Sequence, residues 1–206
     1  MVRFRRPSET RVRGNRSTAF AFLASLAALG VAIAVSAMST HAQVGTLALT
    51  SPAFRDGESI PTQYTCDGAD LVPPLTWSGV PDKTRSLALI VDDPDVPDPA
   101  APKRTWVHWV VYDIPPTANG IAEAGGGAKL PAGSKEGTND WKRTAFGGPC
   151  PPIGRHRYFH KLYALDVELV DLKAPTKAEL EAAMQGHVLA SAVLVGTYER
   201  AQKRGR

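Results

Sequence analysis

A chain of 206 residues with 24 basic and 20 acidic side chains looks mildly basic, at a formal net charge of +4, but the excess sits at one end. Residues 1–42 hold six arginines and one glutamate, so the other 164 residues carry 18 basic and 19 acidic side chains, a net charge of −1. Without a clustered basic face there is no electrostatic case for nucleic acid, and this length suits one domain with one sizeable core.

The arginine-rich start, Met1 to Ser17, precedes an apolar run from Ala19 to Met38, and Thr40-His41-Ala42 places small residues where a signal peptidase reads. Residues 1–42 therefore read as an export signal cleaved after Ala42. The alternative is an uncleaved anchor, because residues 19–38 approach the ~20 apolar residues that cross a bilayer. Arg5-Arg6 lies too far from that run to suit a twin-arginine signal. Either way, residues 43–206 form a periplasmic or extracellular domain ending in a short basic tail. Both cysteines, Cys66 and Cys150, fall in this exported part and are a candidate disulfide, while the absence of CxxC spacing speaks against zinc.

Gly45 to Phe54 alternates as a first strand, ended by Pro52 and the Arg55-Asp56-Gly57 turn, and Ile60 to Thr65 is a short second one. Cys66 to Pro81, rich in Gly, Pro and Asp, reads as mostly ordered loop, plugged into the core by Trp77. Ser86 to Val91 is an apolar strand that runs into Asp92-Asp93-Pro94-Asp95. A second apolar strand, Thr105 to Val111, is covered on both faces, with Trp106, His108 and Val110 on one and Val107, Trp109 and Val111 on the other. Thr117 to Phe146 is a long irregular region, of a length that is usually functional or mobile. A strand from His156 to Leu169 then places His156, Tyr158 and His160 on the face of Leu162 and Ala164. Thr176 with Glu179 gives a capping box for a helix whose stripe is Leu180, Ala183, Met184, His187 and Val188. Val193 to Tyr198 closes the chain as a strand. The class is mainly β: two packed sheets with one or two late peripheral helices.

Asp93 and Asp95 at a strand end, His108 inside a strand, the Gly147–Pro152 turn, and His156 with Tyr158 bring acids, imidazoles and a phenol together with a Gly/Pro loop whose N–H groups are free to face an anion. Each alone has a plainer role: His108 as a core histidine, Asp93-Pro94-Asp95 as a turn, His160 and His187 as structural groups. Trp77, Trp106 and Trp109 serve as core or pocket wall. Together they describe a small anion pocket.

The blocks YTCDGADLVPPLTWSGVP, ALIVDDPDVP, TWVHWVVYDIP, GGPCPPIGRHRYFHKLYAL and TKAELEAAMQGHVLASAVLVGTYER, in this order, resemble the phosphatidylethanolamine-binding protein family, also called Raf kinase inhibitor-like proteins, and within it the bacterial YbhB/YbcL branch. The resemblance spans Tyr64 to Tyr198. It implies a β-sandwich with peripheral helices and a surface pocket for phosphate-type anions or the phosphatidylethanolamine head group. Carried over by motif, the pocket residues are Asp93, His108, Pro152, His156 and Tyr158, with Trp106 and Asp95 beside them. Val107 stands where eukaryotic members have histidine, and the link from Pro152 to His156 is shorter than theirs. The bacterial branch shares both features.

The expected function is that of an exported, non-enzymatic binding protein whose partner is a small anion or phospholipid head group. The alternative is an inhibitor of a kinase or protease, using the Thr117 to Phe146 segment. Further down stands a phosphodiester-cleaving enzyme built on Asp93, Asp95, His108 and His156. No GxSxG elbow occurs, no HxH spacing suggests a metal, and no cofactor is expected. A homodimer follows from the resemblance alone. If the imidazoles bind the anion as cations, affinity climbs below pH ~6.5.

Overall fold

Four runs of β-branched and aromatic residues supply the longest strands, and they pair in antiparallel ladders. The structure, a computed structural model, describes residues 46–125 and 128–201. The expected export segment and basic tail lie outside the described residues. In chain order the strands are β1 (Ala48–Thr50), β2 (Leu75–Ser78), β3 (Ser86–Val96), β4 (Arg104–Ile114), β5 (Gly120–Ile121), β6 (Lys135–Glu136), β7 (His156–Leu165) and β8 (Val188–Tyr198), with helix α1 (Lys177–Met184) before the last. One sheet has the order β1-β2-β5 and the other β6-β4-β3-β7-β8. Among the described residues no helix is long and apolar enough to cross a membrane.

Alternation along the central strands splits the core in two. Leu87, Leu89 and Val91 of β3, Trp109 and Val111 of β4, and Leu162 of β7 face the small sheet, where they meet Leu49, Leu75 and Trp77. Ala88 and Ile90 with Val110 and Tyr112 face the other way, onto Leu180 and Met184 of α1. Full burial of each large apolar side chain contributes roughly 1.5–3 kcal/mol. The helix begins at a complete capping box: the Thr176 hydroxyl accepts from the Glu179 N–H, and the Glu179 carboxylate accepts from the Thr176 N–H at 2.8 Å.

Two expectations are corrected. Ile60 to Thr65 is not a strand: Pro61 leads into a single 3-10 turn over Thr62–Tyr64, and Ile60 instead donates its N–H to the carbonyl of Thr197 at 2.7 Å. Cys66 to Pro81 is mostly loop as expected, with β2 inside it, and its Trp77 is buried and donates its indole N–H to the carbonyl of Ala118 at 2.7 Å. The second correction concerns β4. Val91 of β3 pairs with Trp109 while Asp92 pairs with Val107, so His108 is an extra residue in the ladder. This bulge reverses the alternation, sending Val107 to the helix side with Val110 and leaving Trp109 on the sandwich side with His108. A second bulge, between Asp93 and Val96, accommodates Pro94 inside β3, where a regular ladder would need its missing N–H.

Candidate functional site

The three carboxylates at the end of β3 go in three directions. Asp92, fully buried on the helix side, pairs with Lys161 Nζ at 2.8 Å and Lys177 Nζ at 2.5 Å. Asp95 forms a two-pronged bond with Arg157, at 2.9 and 2.7 Å, and also accepts the Arg157 backbone N–H at 3.0 Å. That guanidinium holds the Asp95 carboxyl below the usual carboxylate range. Asp93 turns inward. Its Oδ2 lies 2.7 Å from His156 Nδ1 and its Oδ1 accepts the Asp95 N–H at 2.8 Å. Burial nevertheless raises its pKa, against the pull of His156 and the Asp95 N–H.

Beside Asp93 opens a cavity of about 310 Å³ lined by Asp93, Val96, Trp106, His108, Trp141, Cys150, Pro151 and Pro152. The β4 bulge delivers His108, and Cys150, Pro151 and Pro152, at the end of the run Gly147–Pro152, supply another wall. The two are clamped together: Nδ1 of His108 lies 2.6 Å from the Gly147 carbonyl oxygen, and the Gly147 N–H donates to the His108 carbonyl at 3.2 Å. Gly147 must be glycine because a Cβ there would run into the Trp141 ring, and one on Gly148 would strike the Asp70 carboxylate, which accepts the Gly148 N–H at 2.7 Å. Trp141 stands edge-on to both Trp106 and His108, with centroids 5.2 and 5.1 Å apart, and is 39% exposed. The guanidinium of Arg104 lies 4.7 Å from the Trp106 ring centroid and that of Arg143 lies 5.5 Å from that of Trp141.

Of the seven residues expected in the pocket, Asp93, Trp106, His108 and Pro152 line this cavity, and three do not. His156 is fully buried behind Asp93, with both ring nitrogens engaged, the second 3.0 Å from the carbonyl oxygen of Ile153. Asp95 is spent on Arg157. Tyr158 borders a tight inner void together with His108 and His160. Its hydroxyl is buried without a hydrogen-bond partner, and burial first and Asp93 second push its pKa well above the phenol value. Of the four residues of the enzymatic alternative, Asp93 and His108 line this cavity, whereas Asp95 faces Arg157 and His156 lies behind Asp93.

Cys150 and Pro151 belong to the expected Gly147–Pro152 turn, whereas Trp141 was not expected; a lone tryptophan in the polar stretch Thr138–Arg143 was its one sequence signal. Cys150 is bonded to Cys66, and this disulfide ties the cavity wall to the turn after Tyr64. A larger cleft of about 810 Å³ shares Pro151 and Pro152 and runs to Tyr198 and Arg200, but the buried histidine and Asp93 face the smaller cavity. The expectation that the histidines charge near pH 6.5 is corrected for His108 and His160. Burial lowers both to about 4, so at neutral pH each ring is uncharged.

The architecture is thus a β-sandwich with one flanking helix and a small cavity between a strand-end aspartate and a bulged histidine. Residues 50–199 match the family model for phosphatidylethanolamine-binding protein, and the chain belongs to that family. A UPF0098 protein of Methanothermobacter thermautotrophicus is 48% identical over 153 residues, 74% of this chain and 98% of the relative. The crystal structure of the phosphatidylethanolamine-binding protein homologue CT736 of Chlamydia trachomatis superposes with a TM-score of 0.69 at 43% identity, covering 76% of this chain and 99% of that one. Escherichia coli YbcL, described as a member of the mammalian family, gives a TM-score of 0.68 at 32% identity and covers 76% and 100%. A carboxypeptidase Y inhibitor, solved in complex with its cognate proteinase, shares the fold at 19% identity and a TM-score of 0.50.

Proposed function

We propose that this chain is an exported binding protein, without catalytic turnover, whose cavity beside Asp93 and His108 takes a small phosphate-type anion such as inorganic phosphate or phosphoethanolamine. One observation carries the reading: the indole N–H of Trp106, a residue of the cavity wall, is buried with no acceptor among the described residues. A buried donor left unpaired costs about 1–3 kcal/mol, and an oxyanion in the cavity would remove that cost. Arg104 and Arg143 over the two tryptophan rings add positive potential outside the lining. The family's name points to the same ligand class, and the Cys66–Cys150 disulfide suits an oxidising compartment.

Thermal unfolding of the purified chain with millimolar phosphate or phosphoethanolamine tests this. A ligand that binds only the native state must raise the melting temperature. Trp106→Phe, which removes the N–H and keeps the ring, should cut that rise. No shift with either ligand would overturn the reading. Inhibition of a partner enzyme takes second place, because the segment assigned to it is not a free arm: β5 pairs with β2 and β6 with β4.

A further inference from the structure

The bulged histidine sets the kind of oxyanion the cavity accepts. Nδ1 of His108 lies 2.6 Å from the Gly147 carbonyl oxygen. A carbonyl only accepts, so Nδ1 carries the hydrogen. Nε2 has no hydrogen-bond partner among the described residues, and the ring borders both the cavity and the inner void it shares with Tyr158. A neutral imidazole protonated at Nδ1 offers a lone pair at Nε2, and burial keeps this ring neutral down to about pH 4, with His160 opposing its charging and Asp92 and Asp140 favouring it. No lysine or arginine lines the cavity. Both oxygens of Asp93 are already engaged, by His156 and by the Asp95 N–H. Among the described residues the lining thus includes an unpaired imidazole nitrogen, His108 Nε2, and a buried unpaired donor, the Trp106 N–H. A phosphoryl group stripped of every hydrogen would set lone pair against lone pair at His108.

We propose that the cavity selects a phosphoryl group that still carries a hydroxyl, inorganic phosphate or a phosphate monoester, over a phosphodiester, with the P–OH donating to His108 Nε2 and an unprotonated phosphoryl oxygen accepting from Trp106. This deepens the anion-pocket reading and rests on it. The hydroxyl of a monoester can come from a free metabolite or a cleaved head group, whereas an intact phospholipid is a diester and has none.

Calorimetric titration of the full-length chain near pH 5.5 decides the matter, because a monoester there keeps much of its second proton (pKa about 6) while His108 stays neutral. Methyl phosphate is compared with dimethyl phosphate, and phosphoethanolamine with glycerophosphoethanolamine. Each monoester should bind at least about tenfold more tightly than its diester, since a site built to bond a hydroxyl is left unpaired by the analogue lacking it. His108→Phe should collapse that preference to within about twofold, and Trp106→Phe should weaken both classes alike. The ligand series in the unaltered chain decides even where a variant fails to fold. Equal affinity for monoester and diester would overturn the hydroxyl requirement and leave the anion pocket standing. Tight binding of glycerophosphoethanolamine alone among the diesters would also overturn it, by placing the donor on the ammonium. No binding by any of the four would overturn both readings.

Discussion

Nδ1 of His156 meets Oδ2 of Asp93 at 2.7 Å, and the two side chains are 0% and 3% exposed. One belongs to β7 and the other to the irregular end of β3, so the bond pins the cavity's floor to the central ladder. His156→Ala leaves a buried carboxyl without its partner and should cost on the order of 3 kcal/mol in urea unfolding. Asp93→Asn keeps a hydrogen-bonding group at the same place and should cost less than half as much. Equal losses would mean that the pair contributes only packing.

Acid should weaken the fold well above the range where ordinary carboxylates titrate. His108 and His160 are held at about 4, whereas the same side chains in the unfolded chain protonate near 6.5. Between those limits the unfolded state binds more protons, so stability is full above pH 6.5 and falls as pH drops toward 4, by on the order of 3 kcal/mol per histidine at most. Asp93 works against this, because its raised pKa lets the folded state take a proton before the unfolded one does. Asp95 adds a further loss only as pH falls through its depressed pKa, below 3.8. Urea midpoints at pH 7, 5.5 and 4.5 should decline steadily, and His160→Phe should flatten the decline. A midpoint constant from pH 7 to 4.5 would contradict the buried neutral rings.

The disulfide closes a loop of 84 residues in sequence separation. Replacing both cysteines with serine should destabilise the domain by about 2–4 kcal/mol. The cavity wall should keep its place, because the Cys66 N–H still donates to the Pro149 carbonyl at 3.1 Å and Gly148 to Asp70 at 2.7 Å. Phosphate affinity measured under conditions where the variant is folded should therefore change by less than about threefold, each bond it retains being worth roughly 1 kcal/mol. A larger loss would show that the disulfide shapes the cavity.

Asn139 holds the tryptophan at the cavity mouth. It is 2% exposed, its Oδ1 accepts the N–H groups of Trp141 and Arg143, and its Nδ2 donates to the carbonyl of Ala145 at 2.7 Å and that of His108 at 3.4 Å. Asn139→Ala frees four partners at once and should cost about 2–3 kcal/mol. It should also weaken phosphate binding by about tenfold as Trp141 loses its seat. Unchanged binding would remove Trp141 from the ligand's surroundings.

Much of this protein was legible residue by residue. Alternation gave β3, β4 and β7 their central places and put His156, Tyr158 and His160 on one face. The Thr176–Glu179 pair marked the helix start because a capping box is purely local chemistry. The family blocks gave the sandwich, and the oxidising compartment suggested by residues 1–42 gave the disulfide candidate. What the linear order concealed was the bulge at His108, which depends on how β4 registers against β3 and on nothing in β4 alone. It also concealed which partner each acid of Asp92-Asp93-Pro94-Asp95 would find, since Lys161, His156 and Arg157 stand 62 or more residues from the acids they meet and their choice is made by sheet pairing. Trp141 joined the cavity wall, and Asn139 its support, through long-range packing and hydrogen bonds to β4. Periodicity and composition are set by neighbours in the chain, whereas a cavity wall and a histidine's tautomer are set by atoms that only folding brings within three ångströms.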